Sequence, residues 1–127
     1  MAYRNYVTTI PLWKDTAGTG GTYTSDQIDL REANRKGEFT LTYEVGASGL
    51  AGTAATTNFK YVVSDKSSGN YRAPTNGDKG TIGTAGSGAD GSQGALSFTP
   101  VTAPFMKILA VIGTSGTSRI TAELNVR

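Results

Sequence analysis

Cysteine and histidine are both missing from this 127-residue chain. The first absence excludes disulfides, thiolate nucleophiles and cysteine metal sites. The second removes imidazole ligands, the commonest general base and the side chain that changes charge near neutral pH. No Ser-His-Asp or Cys-His arrangement can be built, which leaves carboxylates alone, or oxygen ligands for a cation, as the available chemistry. No apolar run approaches the ~18 residues of a membrane-spanning helix, and the opening MAYRNYVTT has no apolar core of a signal peptide. The expectation is a chain made in the cytoplasm, with no membrane partner. Charge of one sign is also scarce: 12 Lys and Arg face 10 Asp and Glu, interspersed, for a net +2. A nucleic-acid binder concentrates positive charge on a patch or stripe, so nucleic acid is not an expected partner.

What the chain does contain is small residues and alternation. There are 17 Gly with abundant Thr, Ala and Ser, a composition that favours strands over helices. The run EFTLTYEVG, from Glu38 to Gly46, puts Phe39, Leu41, Tyr43 and Val45 on one side and Thr40, Thr42 and Glu44 on the other. That is the period-two pattern of a half-buried strand. Phe59 to Val63 and Ile120 to Val126 repeat it, so Phe59, Tyr61, Val63, Ile120, Ala122, Leu124 and Val126 extend a single apolar layer.

Further pieces follow along the chain. Tyr3, Tyr6, Val7 and Ile10 lead into Pro11, Leu12 and Trp13, an extended segment that Pro11 places at an edge or bend. Trp13 reads as a lid on the core, or as a subunit contact or ligand platform. Thr22 to Leu30 reads as one bent or bulged strand, its alternation broken at Ser25 and Asp26. Leu30 to Gly37 has one or two turns of helix-forming character and gathers Arg31, Arg35 and Lys36, a solvated connection or a charged contact surface. Tyr71 to Pro74 is a short extended piece. Thr75 to Gly94 is glycine-rich, with a short edge strand expected around Ile82 between Lys79 and Ala85. Ala95 to Thr99 is another short strand. Phe105 to Ile112 is apolar on both faces apart from Lys107, as in a central strand or one whose outer face meets another subunit. It is expected to form an antiparallel hairpin with Arg119 to Val126, and the first half of the chain is expected to be a meander.

Seven to eight strands need two packed antiparallel sheets with jelly-roll or Greek-key connections, or a closed barrel. The expected class is all-β, a single two-sheet sandwich over residues 1–127 with a glycine-rich loop region at about 75–94. No cofactor or metal is expected. Asp78 and Asp90 lack the spacing of a calcium loop, Gly77-Asp78-Lys79-Gly80-Thr81 lacks that of a phosphate loop, and Glu44 and Glu123 point outward as solubilising residues. A carbohydrate-binding module is an alternative if two rings among Trp13, Tyr23, Tyr43 and Tyr71 share one exposed plane.

The segments Ile28 to Ala33, Phe39 to Val45, Ser97 to Pro100, Pro104 to Ile108 and Ile120 to Leu124 resemble small β-sandwich virion proteins of tailed bacteriophages, those that decorate, cement or join the head. That resemblance implies a non-enzymatic structural protein of the virion, a homo-oligomer with a trimer favoured, bound to a major capsid protein lattice. Tyr3, Tyr6, Trp13, Arg31, Arg35, Lys36, Tyr71 and Lys79 are the candidate partner contacts. The other reading is a β-sandwich interaction module outside any virion.

Overall fold

The computed structural model describes residues 7–18, 20–31, 37–47, 56–75, 80–85, 92–113 and 118–127. They form nine strands: β1 (Thr8–Gly18), β2 (Gly21–Thr24), β3 (Ile28–Asp29), β4 (Phe39–Ala47), β5 (Thr57–Ser64), β6 (Thr81–Ala85), β7 (Ser92–Phe98), β8 (Phe105–Ile112) and β9 (Ser118–Val126). Sheet A has the order β1-β9-β4-β7. Sheet B has the order β2-β8-β5-β6, with β3 also on β8. Every pairing is antiparallel. The fold is an all-β sandwich of jelly-roll type, and the count exceeds the expected seven or eight because the bent segment after Thr22 splits into β2 and β3.

Two connections differ from the sequence reading. β8 and β9 do not form a hairpin: β8 pairs with β2, β3 and β5, whereas β9 sits between β1 and β4 in the other sheet. The opening half is not a meander either, since β4 pairs with β7 and β9 while β5 pairs with β6 and β8. Of the strands consecutive in sequence, only β5 and β6 are hydrogen-bonded neighbours among the described residues. Local alternation says which face of a strand is apolar but not which strand lies beside it. The apolar layer read from the sequence accordingly comes from both walls. β4 and β9 contribute Phe39, Leu41, Val45, Ile120, Ala122, Leu124 and Val126; β5 contributes Phe59 and Tyr61, all buried, with Val63 half-buried.

The core fills the gap between the sheets. Ring contacts cross it from wall to wall, with Tyr43 and Phe59 centred 5.4 Å apart and Tyr61 and Phe98 5.5 Å apart. Burying each such side chain contributes roughly 1.5–3 kcal/mol relative to exposure. Tyr61 keeps its polar end satisfied, its hydroxyl accepting the Val101 N–H at 3.2 Å. The expected edge strand around Ile82 is present as β6. It is introduced by Gly80, whose φ of +84° suits glycine and whose carbonyl accepts the Tyr61 N–H at 2.8 Å. The helix-forming character expected at Leu30 to Gly37 falls mostly on residues 32–36, outside the described residues.

Candidate functional site

The outer faces of the two sheets have different chemistry. In sheet A the outward row Thr9, Asn125, Thr40 and Ser97 crosses all four strands. The Thr9 hydroxyl donates to Asn125 Oδ1 at 2.8 Å, Asn125 Nδ2 donates to Thr42 Oγ1 at 3.3 Å, and the Thr40 and Ser97 hydroxyls meet at 3.3 Å. Glu44 and Glu123 lie on this face and are exposed, as their alternation requires. It is a wet, hydroxyl-rich wall.

Sheet B carries apolar and cationic side chains outside. Along β8, Met106, Ile108, Ala110 and Ile112 point inward, so Phe105, Lys107, Leu109 and Val111 point outward. Phe105 is only 4% exposed yet stands apart from the core cluster. Its cover is Arg31, whose guanidinium carbon lies 4.8 Å from the ring centre. Arg31 is held there by Asp29, opposite Phe105 on β3, through Nε at 3.1 Å to Oδ1 and Nη2 at 2.8 Å to Oδ2. The Arg31 side chain, then its backbone N–H at 3.0 Å, hold the Asp29 carboxyl down at about 2. Two residues along the same face, Lys107 Nζ lies 4.4 Å from the centre of the Tyr71 ring. The Tyr71 hydroxyl donates to Ser67 O at 3.0 Å, with Gln27 Oε1 at 3.4 Å, and burial pushes its pKa up.

Arg31 and Tyr71 are thus brought to one end of the outer face of sheet B. Trp13 is not with them: it is on β1 of sheet A, opposite Ala122, half-buried against the core. Tyr3, Tyr6, Arg35, Lys36 and Lys79 lie outside the described residues. The sequence reading did not single out Asp29 as a contact residue, and it placed Phe105 and Lys107 on a central strand or one whose outer face meets another subunit without naming either as a contact. The usable signals were the Asp-x-Arg spacing and the odd parity of Phe105 and Lys107 against Met106 and Ile108. Tyr23 and Tyr43 pack partly against the core. The candidate rings therefore share no exposed plane of the kind flat sugar recognition needs.

Among the described residues no group of three or more Asp and Glu side chains converges as a metal site. Asp78 and Asp90 lie outside them. A concavity of about 480 Å³ opens beside the turn after β5 and is lined by Ser64, Asp65, Lys66, Asn70, Arg72 and neighbours. The arrangement can make contacts.

No protein-family model matches the sequence, and none of the curated proteins does. Solved structures do match the fold. A structure of the Gx strain of infectious bursal disease virus matches with a TM-score of 0.52 at 15% identity, over 98% of this chain and 33% of the other. A crystal structure of the T13 viral particle of the same virus matches with a TM-score of 0.50 at 14% identity, over 96% of this chain and 31% of the other. The fold is one found in a virus particle. This chain spans about a third of the length of those chains. The resemblance to tailed-bacteriophage head-decoration, cement or joint proteins is corrected by these matches, which are to a virus that is not a tailed bacteriophage. The described parts of the stretches that carried it lie mostly on sandwich strands, and a sandwich is shared by proteins of many lineages. The favoured trimer and the phage capsid lattice rested on that resemblance and lose their support with it.

Proposed function

We propose that the chain is a non-enzymatic structural protein of a virus particle, packed against neighbouring protein subunits. The observation that carries this reading is the match of 98% of the chain to one third of a virus-particle chain. Jelly-roll sandwiches are a recurrent building unit of viral capsids. The chemistry of the surface agrees: cations laid on rings and a hydroxyl-rich wall suit contact.

The test is physical association. Particles from the culture that encodes the chain are banded on a density gradient, and peptides are quantified by mass spectrometry. The chain is expected to co-migrate with the particles in fixed ratio to their other proteins. Recovery only from the soluble fraction overturns the reading.

A further inference from the structure

Among the described residues the sandwich has four sheet edges, and three of them are blunted. β1 carries Pro11 and Lys14, and its register against β9 shifts twice. The β2 edge is interrupted between Thr24 and Ile28. β6 has five residues and a register shift against β5. The fourth edge, β7, reads SQGALSF: seven residues in unbroken register with β4, with no proline and no charge. Native sheets blunt exposed edges with prolines, charges and bulges because an open edge pairs with other strands.

The main-chain orientation of β7 follows from its neighbours. Glu38 and Arg127 exchange both N–H···O bonds, at 3.1 and 2.9 Å, just before β4 and just after β9. Even-numbered residues of β4 therefore aim their backbone at β9 and odd-numbered ones at β7. Phe39, Leu41, Tyr43 and Val45 face Phe98, Leu96, Gly94 and Ser92, so the backbone N–H and C=O groups of Gln93, Ala95 and Ser97 point off the edge. Among the described residues nothing pairs with that outer rail.

We infer that β7 is the site where a second copy of this chain adds its own β7, antiparallel across a two-fold axis through Ala95, joining two four-stranded sheets into one. An isologous contact needs a self-complementary surface, and this edge is one. Pairing about Ala95 overlaps the whole strand and sets Gln93 against the second copy's outward Ser97, the exposed groups of each satisfying the other. Leu96, half-buried in one copy, falls opposite Gly94 of the second, where no side chain intrudes. No like charges meet. Glu44, opposite Gln93, lies one strand inside the edge, so the two Glu44 carboxylates stand at least three strand spacings apart, about 14 Å. That exceeds the screening length of about 10 Å at 0.1 M salt. The contact names a partner for the shell reading above but rests on edge geometry, and it stands in a protein that never enters a particle.

Sedimentation equilibrium on the purified chain should give twice the chain mass. Ala95→Pro removes only an outward N–H, so it should yield the single-chain mass with an unchanged folded circular dichroism spectrum at room temperature. Should that variant fail to fold, Ala95→Lys opposes two ammonium groups on the axis and should also yield the single-chain mass. Because the chain has no cysteine, Ala95→Cys gives one thiol per copy and should cross-link to dimer with a short bismaleimide, whereas Thr9→Cys on the β1 edge should not. A wild type that stays monomeric up to its solubility limit overturns the proposal. So does a dimer indifferent to both Ala95 variants, equal cross-linking from Thr9, or β7 occupied by a strand of a different protein. A β7 dimer absent from particles would overturn the particle reading alone.

Discussion

Ser25 and Ile108 are joined twice. The Ser25 N–H donates to the Ile108 carbonyl at 2.9 Å, and the Ile108 N–H donates to the Ser25 hydroxyl oxygen at 2.9 Å. Between β2 and β3 the ladder lacks a backbone acceptor, and a side chain takes its place. Ser25 is 5% exposed, so Ser25→Ala would strand a buried N–H at a cost of about 1–3 kcal/mol. Urea unfolding should show the loss, and an unchanged midpoint would mean that Ile108 finds another acceptor.

Leu41 is fully buried on β4. Leu41→Ala should destabilise by about 2–5 kcal/mol, transfer and cavity together. The same unfolding assay reads it, with Thr40→Ala on the wet face as the near-neutral comparison.

Asp29 gives a defined acid limb. Its carboxyl titrates at about 2 in the folded chain against an ordinary value of 3.8, so the unfolded state holds the proton more tightly and protonation favours unfolding. The contribution is complete above about 4 and is lost as pH falls toward 2. A carbon-detected NMR titration should place the Asp29 midpoint near 2, and Arg31→Gln should return it toward 3.8. A midpoint unmoved by Arg31→Gln would show that the guanidinium is not the cause.

Gly80 is intolerant for two reasons. Its φ is +84°, and an added Cβ would stand 2.6 Å from the Tyr61 carbonyl oxygen, a backbone atom that cannot swing aside. Gly80→Ala should cost at least the roughly 1–2 kcal/mol of a left-handed L-residue. Amide exchange should show protection lost first in β6, and retained protection there would place the strain elsewhere.

Facing was legible in the sequence wherever alternation was strict: the inward sets of β4 and β9 follow from parity alone, and Pro11 marked an edge strand. Neighbour relations were not, because nothing in Phe105 to Ile112 distinguishes pairing with Arg119 to Val126 from pairing with Phe59 to Val63. The break at Ser25 and Asp26 was visible as lost alternation, but that Ser25 replaces a backbone acceptor depends on Ile108, 83 residues away. The Arg31 cover on Phe105 was hidden for the same reason: its parts meet only when β3 pairs with β8.

β9 is the last of the described strands in sequence, yet it sits inside sheet A, with Val126 opposite both Thr8 of β1 and Phe39 of β4. During synthesis β1 and β4 must wait for it with their facing edges unpaired, and sheet A can close only after Val126 has cleared the ribosome. Until then the nascent chain exposes two strand edges that the finished sandwich conceals. Its yield in a cell is accordingly expected to depend on whatever shields unpaired strands over that interval.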